Sequence, residues 1–286
     1  MVNHKEVELA AGLYLVATPI GTARDITLRA LDVLASADVL AAEDTRSLRK
    51  LMEIHGVPLG GRRIVAYHDH SGKGARARLL AALGDGQSVA YASEAGTPMI
   101  ADPGYHLVRE AQQAGYLVTS APGPSAVITA LTLGGLPTDR FTFAGFLPNA
   151  GGARKKALEA LRGAAGTLVF YESPKRVGAM LSDAAEILGE GRAARVCREL
   201  TKRFEEVRCG TLAELAAQMK DEAVKGEIVV LIEEGRAAEM SDEALRLRLA
   251  QMLETMSLRD AADTLAAETG AKRRRIYQMG LEIGGR

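Results

Sequence analysis

The chain has 286 residues, 47% hydrophobic and 25% charged, with a formal net charge of zero. That is length for about two domains and far too much apolar content for a disordered chain. With the charge balanced, any nucleic-acid surface must be a local patch, not a global field. Taken in chain order, the N-terminal "MVNHKEVELAAG" carries two glutamates and no long apolar stretch, unlike a signal peptide. "LYLVAT" (13–18) reads as a strand and "DITLRALDVLASA" (25–37) as a helix capped by Asp25. "DVLAAE" (38–43), "RIVAYH" (63–68), "QSVAYAS" (87–93) and "YLVTSA" (116–121) read as further strands. Helical patterns at 45–56, 75–86, 106–115 and 125–135 separate or follow them. This rhythm predicts an α/β domain with a mostly parallel sheet over 1–145.

"GFLPNAGGARKK" (145–156) reads as a linker running into a basic helix start. A second α/β unit over 146–235 follows, with strands at 167–172, 194–200 and 227–233 and helices at 175–189 and 212–223. After a polar stretch only helical patterns remain, at 242–256, 257–270 and 271–284, forming a helix-turn-helix-like extension over 240–286. Ser257 is the expected N-cap and Gly270 the expected stop of the middle helix. Cys197 and Cys209 form no C-x-x-C pair, so neither a structural zinc site nor a disulfide framework is expected. No apolar run approaches the ~20 residues of a membrane span. The setting these features predict is cytoplasmic, without membrane contact.

In parallel sheets ligands bind beyond the carboxyl ends of the strands. Three loops rich in Gly, Pro, Ser and Thr leave such ends: "PIGTARD" (19–25), "SEAGTPMIADPG" (93–104) and "PGPSA" (122–126). Each alone could be a tight connection; together they predict a ligand cleft. No Walker loop, G-x-S-x-G elbow, H-E-x-x-H helix or G-x-G-x-x-G turn is present. His68 and His70 flank Asp69 as H-x-H, but no further His or Cys cluster supports a metal, and none is expected. "AEDTR" (42–46) and "YESPKR" (171–176) are the other chemical clusters. Thr45, Thr97 and Ser173 could each cap a helix. Lys175 and Arg176 at a helix start oppose the helix dipole, which makes sense if phosphate binds there. Residues 154–176 hold six Lys/Arg against two Glu, and "AKRRR" (271–275) is a second basic run.

The segments "LYLVATPIGTARDITLRALDVLASADVLAAEDTR", "SEAGTPMIADPG", "TSAPGPSAVITAL", "FAGFLP" and "YESPKR" resemble the RsmI family over nearly the whole chain. Those are small-subunit ribosomal RNA (cytidine-2′-O-)-methyltransferases of the tetrapyrrole-methylase superfamily. The chain has Thr22-Ala23 where the family usually has Asn-Leu, and Glu94 where it has Asp. The resemblance implies two α/β lobes with a cofactor cleft between them, a homodimer, and S-adenosylmethionine as cofactor. It implies cofactor contacts at Ile20, Glu94, Ala95, Gly96, Thr97, Ile100, Ser125, Ala126, Tyr171 and Glu172. The substrate would be a cytidine ribose in the decoding region of 16S rRNA, as naked RNA or in the small ribosomal subunit. Glu43 or Asp44 could accept the hydroxyl proton. Arg24, Thr45, Arg46, Lys175, Arg176, Lys272, Arg273 and Arg274 would contact RNA, the cations by holding phosphates. A small-molecule methyltransferase acting on a tetrapyrrole is the nearest alternative. A helix-turn-helix DNA regulator is another, but it leaves the α/β portion without a role, and a bare dimeric scaffold is the third.

Overall fold

The computed structural model describes residues 3–68, 73–101, 104–220, 222–235 and 242–284. Strands β1 (Gly12–Val16), β2 (Val39–Ala42), β3 (Ile64–Ala66), β4 (Ser88–Ala92) and β5 (Val118–Ala121) form one sheet in the order β3-β2-β4-β1-β5. Every pair in it is parallel. Such a sheet is covered on both faces, so its strands run apolar without alternation; β4 is buried along its whole length. Helices α1 (Leu28–Ser36) and α2 (Thr45–Ile54) cover one face through Leu31, Leu34, Leu48 and Met52. Helices α3 (Lys73–Gly84) and α4 (Tyr105–Gln113) cover the other through Leu79, Leu83, Leu107 and Ala111.

Helix α5 (Ala126–Gly134) leaves this sheet and packs on a second one. That sheet contains β6 (Phe141–Phe146), β7 (Thr167–Glu172), β8 (Ala193–Arg198), β9 (Glu206–Thr211) and β10 (Ile228–Ile232), ordered β6-β7-β10-β8-β9. Only β6 and β7 run parallel; the other pairs are antiparallel. Side chains alternate across β10 as a strand's period of two requires. Ile228, Val230 and Ile232 face α6 (Gly151–Ala160), α7 (Val177–Leu188) and α8 (Leu212–Met219). Val229 and Leu231 face α5. The sheet is thus sandwiched between three helices of its own and one lent by the first lobe.

Helices α9 (Asp242–Leu253), α10 (Leu258–Thr269) and α11 (Arg273–Gly284) bury a small core of their own around Leu245, Leu249, Leu265 and Ile276. Ser257 caps α10 by accepting the Asp260 N–H, and Gly270 ends it at φ 69°. Among the described residues no helix is long and apolar enough to cross a membrane.

Several local expectations need correction. Asp25 does not cap α1: it ends a short 3-10 turn, and Thr27 caps instead by accepting the Ala30 N–H. Asp44, not Thr45, caps α2. Thr97 donates to the Pro124 carbonyl instead of capping, and α7 begins after Arg176 without a side-chain cap, so Ser173 has no capping role. The supposed linker begins inside a strand, because β6 already belongs to the second sheet. Strand β9 was not expected at all.

The cysteines give a test of this layout. Cys197 is fully buried on β8, and that burial pushes its thiol up to about 12, whereas Cys209 on β9 is exposed. Since the thiolate is the reactive form, an alkylating reagent at pH 8 is expected to label Cys209 and spare Cys197 until the chain unfolds. Peptide mass spectrometry reads the ratio, and equal labelling would remove β8 from the core.

Candidate active site

The connection from β1 starts through α1 on one face of the first sheet, and that from β4 runs through α4 on the other. These two strands are neighbours. The crevice beyond their carboxyl ends is therefore a topological switch point, where doubly wound sheets bind ligands. The two loops leaving it are tied together. Thr18 and Gly96 exchange both backbone hydrogen bonds, at 2.9 and 3.0 Å. Buried Ser93 donates to the Gly96 carbonyl. Gly96 sits at φ 82°, and a Cβ there would meet Ile20 Cγ2 at 3.3 Å.

Against this switch point the second lobe closes a cleft of about 370 Å³. Ile20, Ala95, Ala101 and Ala126 line it from the first lobe. Phe146, Tyr171 to Pro174, Leu200 and Gly226 to Val229 line it from the second. The charged side chains on its wall, Glu172 and Glu227, are both carboxylates. Glu172 is 3% exposed. Its Oε1 accepts the Ser173 N–H at 2.7 Å and its Oε2 accepts from Arg176 at 3.0 Å. Arg176 also donates to the Leu147 carbonyl at 2.6 Å and to Asn149 Oδ1. This guanidinium staples the loop after β7 to the loop after β6.

Of the residues expected around a cofactor, Ile20, Ala95, Ala126, Tyr171 and Glu172 come together in the cleft. Gly96 and Thr97 stand behind its wall: the backbone of Gly96 bonds Thr18, and Thr97 Oγ1 donates to Pro124 O at 2.9 Å. Ser125 opens α5 beside Ala126, and Ile100 is exposed next to Ala101. Glu94 turns instead to a hollow of about 180 Å³ shared with Pro19, Gly21, Ser47 and Lys50. Consecutive residues of the same loops line the two cavities, so the loops are the partition between them.

Glu43 is half-buried after β2 and does not line the cleft. Asp44 Oδ1 accepts the Arg46 N–H at 2.7 Å, and its carboxylate pairs with the Arg46 guanidinium at 2.9 Å. The Arg46 side-chain bond and its backbone N–H hold the Asp44 carboxyl down at about 2. Thr45 is the first residue of α2. Arg24, Arg46 and Lys175 are exposed. Lys272, Arg273 and Arg274 lie far along the chain at the start of α11; Arg273 pairs with Asp263, while Lys272 and Arg274 are exposed. His68 is exposed, and Asp69, His70 and Asp102 lie outside the described residues.

Sequence reasoning missed Phe146, Leu200 and the segment Gly226–Val229 as cleft residues. A signal existed at Gly226. It directly precedes an apolar strand, adopts φ 98°, and leaves no room for a Cβ, which would lie 2.5 Å from the Glu199 carboxylate.

Two α/β lobes facing each other across a switch-point cleft define the class, and residues 12–216 match the Tetrapyrrole (Corrin/Porphyrin) Methylases. Residues 238–284 match the RsmI C-terminal HTH domain. The chain is 48% identical to the ribosomal RNA small subunit methyltransferase I of Mesorhizobium japonicum, covering 99% of this chain and 97% of that one. It is 42% identical to the protein of that name from Escherichia coli O157:H7, covering 100% of both. Among solved structures, uroporphyrin-III C-methyltransferase from Thermus thermophilus complexed with S-adenyl homocysteine is similar at a TM-score of 0.53. That likeness has 20% identity and covers 77% of this chain and 96% of that one. The chain belongs to the ribosomal RNA small subunit methyltransferase I family of the tetrapyrrole methylases.

The Glu172–Arg176 staple is open to measurement. Arg176→Met strips a carboxylate whose side chain is 1% exposed of its cation, while the Arg176 side chain itself keeps 25% exposure. The expected loss is about 3 kcal/mol in urea unfolding, the low end for breaking a buried pair. Glu172→Gln added to Arg176→Met is expected to recover much of it. A negligible loss in the single variant would free Arg176 from its structural role.

Proposed function

We propose that the protein transfers a methyl group from S-adenosylmethionine to the ribose 2′-hydroxyl of a cytidine in the decoding region of small-subunit ribosomal RNA. The observation that carries this reading is near full-length identity of 42–48% to ribosomal RNA small subunit methyltransferase I proteins, extending through the C-terminal helical domain.

The residues of the cleft fit the cofactor. Its volume lies in the range of small-ligand sites. Ile20, Ala126, Leu200 and Val229 offer apolar walls for a purine and the carbon chain beside the sulfonium, and Glu172 and Glu227, paired with Arg176 and Lys202, leave carboxylate oxygens on the wall for polar contact. Bound there, S-adenosylmethionine supplies an activated methyl electrophile. The chain's own residues then have two tasks, alignment of the hydroxyl and exclusion of water. Ala95 and Ile20, braced by the Thr18–Gly96 bridge, form one wall; Tyr171 and Glu172, braced by Arg176, form the other. Gly96, Thr97 and Ser125 act by shaping that first wall. Asp44 is a poor general base, because a carboxyl held at about 2 has little affinity for a proton near neutrality. Its role is to cap α2 and aim Arg46. Glu43 is retained as the carboxylate to test for proton acceptance, and Glu94 as a wall of the neighbouring hollow.

RNA contact falls to exposed cations on separate surfaces: Arg24, Arg46 and Lys175 near the two lobes' loops, and Lys272 and Arg274 on α11. The working units are an N-terminal lobe, a second lobe and the helical extension over 240–286. A homodimer belongs to the same reading, supported by Ile128, Leu133 and Phe141, which expose apolar surface on α5 and β6. A cytoplasmic setting belongs to the same reading, because that is where a ribosomal substrate would be met.

Purified protein is expected to transfer radiolabelled methyl to small ribosomal subunits, and nuclease digestion should return one 2′-O-methylcytidine. Methylation of uroporphyrinogen with none of rRNA would instead establish the tetrapyrrole reading. Gly96→Val forces a branched side chain onto φ 82° against Ile20. With the Ile20 wall displaced and the backbone strained, this variant is expected to lose cofactor binding by calorimetry. Unchanged affinity in a folded variant would move the cofactor elsewhere. Truncation after Gly235 removes the helical domain; cofactor affinity should hold while the RNA concentration for half-maximal rate rises. A truncated protein with wild-type RNA dependence would exclude the domain from recognition.

A further inference from the structure

Four non-glycine residues among those described have positive φ: Met99 (71°), Ala101 (61°), Glu199 (50°) and Thr201 (62°). All four lie in two loops, one on each side of the cleft. Ala101 lines the first wall, and Leu200, between the other two, lines the second. For a β-branched residue such as Thr201 this conformation is a genuine outlier. Backbone held there persists only where the surroundings over-determine it, and such positions gather at working sites. The loop of residues 199–205 is held that firmly. Thr22 N–H donates to Thr201 Oγ1 at 3.2 Å and Thr22 Oγ1 donates to the Thr201 carbonyl, joining the two lobes. Lys202 bridges Glu199 at 2.8 Å and Glu227 at 2.9 Å, and Glu205 accepts the Thr201 N–H at 2.6 Å. Gly21 lies so close that a Cβ there would sit 2.5 Å from Lys202 Cγ.

A loop anchored at so many points has the means to bury its apolar residue. It does the reverse: Phe204 is 63% exposed, with the Arg203 guanidinium 5.5 Å over its ring. The core clusters take up no part of this ring. Phe146 also exposes its ring, but it packs edge-on against Tyr171 at 5.6 Å and belongs to the cleft wall. For Phe204 the ring contact among the described residues is with a cation, Arg203. A rigid aromatic face flanked by an arginine is what proteins offer to unstacked bases of single-stranded RNA. An RNA helix displays its 2′-hydroxyls in a shallow minor groove, but a cleft walled by two lobes admits a ribose best from a single-stranded segment whose bases are splayed and free to stack on protein.

We infer that Phe204, backed by Arg203 on the inter-lobe clasp of residues 199–205, is a stacking platform for a base of the substrate RNA at the mouth of the cleft. This rests on the ribosomal RNA methyltransferase reading. The clasp anchors the backbone that carries the ring relative to Leu200 and Glu227 in the cleft wall, so a base stacked on it sets how the target ribose enters.

The test compares Phe204→Ala, Phe204→Leu and Phe204→Tyr in methyl transfer to small ribosomal subunits, with S-adenosylmethionine affinity measured by calorimetry. Loss of one base–aromatic stack is expected to raise the KM for RNA roughly tenfold or more, with cofactor affinity and melting temperature unchanged. Tyr keeps the ring and should restore wild-type KM; Leu keeps apolar bulk without a π face and should behave as Ala does. Rescue by Leu, with a change in sedimentation, would show the ring seated against a second copy of the chain and overturn the proposal. An unchanged KM in Phe204→Ala would overturn the stacking role while leaving the methyltransferase reading intact. Wild-type protein that methylates no ribosomal RNA would sink that reading and the platform with it.

Discussion

Helix α5 belongs to the first lobe by chain order and to the second by packing, and the geometry of the cleft depends on that double membership. Its Val127, Ala130 and Leu131 pack with Ile20 against Val169, Cys197, Val229 and Leu231 in one continuous apolar cluster. Burial of this kind is the dominant favourable term in folding and is indifferent to direction, so the angle between the lobes comes from shape. Gly134 and Leu231 are in such close contact that a Cβ at 134 would collide with the leucine side chain. Arg195 adds a directional element, its Nε donating to the Gly134 carbonyl at 2.7 Å. With α5 seated, Ala126 at its start and Val229 in the facing sheet become opposite walls of one cavity.

Two kinds of polar fastening refine what the apolar joint sets. Within each wall, backbone and buried ion pairs fix the loops: Thr18 with Gly96 on one side, Glu172 with Arg176 on the other. Across the walls, Thr22 meets Thr201. The hydroxyl of Thr22 is the atom that donates across the lobes. The Glu94 departure falls outside the main cleft, facing the smaller hollow beside α2.

The parallel lobe was legible in the sequence because apolar strands alternate with helical patterns, most of them joined through loops rich in Gly, Pro, Ser or Thr. Five strands and the loops at their ends could be placed within a few residues. Both strands that escaped, β6 and β9, are the edges of the second sheet. An edge strand is half-solvated and has no need of a continuous apolar run. β6 also carries an irregularity between Phe143 and Gly145 that breaks its period of two. β9 reads "EVRCGT", and its charges are satisfied by Arg198, Glu206, Arg208 and Glu222 pairing with one another. At the site, residue type was legible but partner was not. "AEDTR" and "YESPKR" both advertise chemistry; in the fold Asp44 caps a helix and Arg176 holds a buried carboxylate. The conflict of Arg176 with the helix dipole was visible, but its resolution by Glu172, Leu147 and Asn149 required the β6–β7 pairing to be known.

The lent helix also sets an order of events on the ribosome. A chain made from its N-terminus completes α5 about a hundred residues before it completes β10, the strand that carries Val229 and Leu231. At synthesis rates of about 5–20 residues per second, that interval is on the order of 5–20 s. Throughout it the first lobe can be finished, since its sheet needs nothing beyond β5, yet the apolar face of α5 has no sheet to cover it. The nascent first lobe thus carries an uncovered apolar helix face until the second lobe emerges.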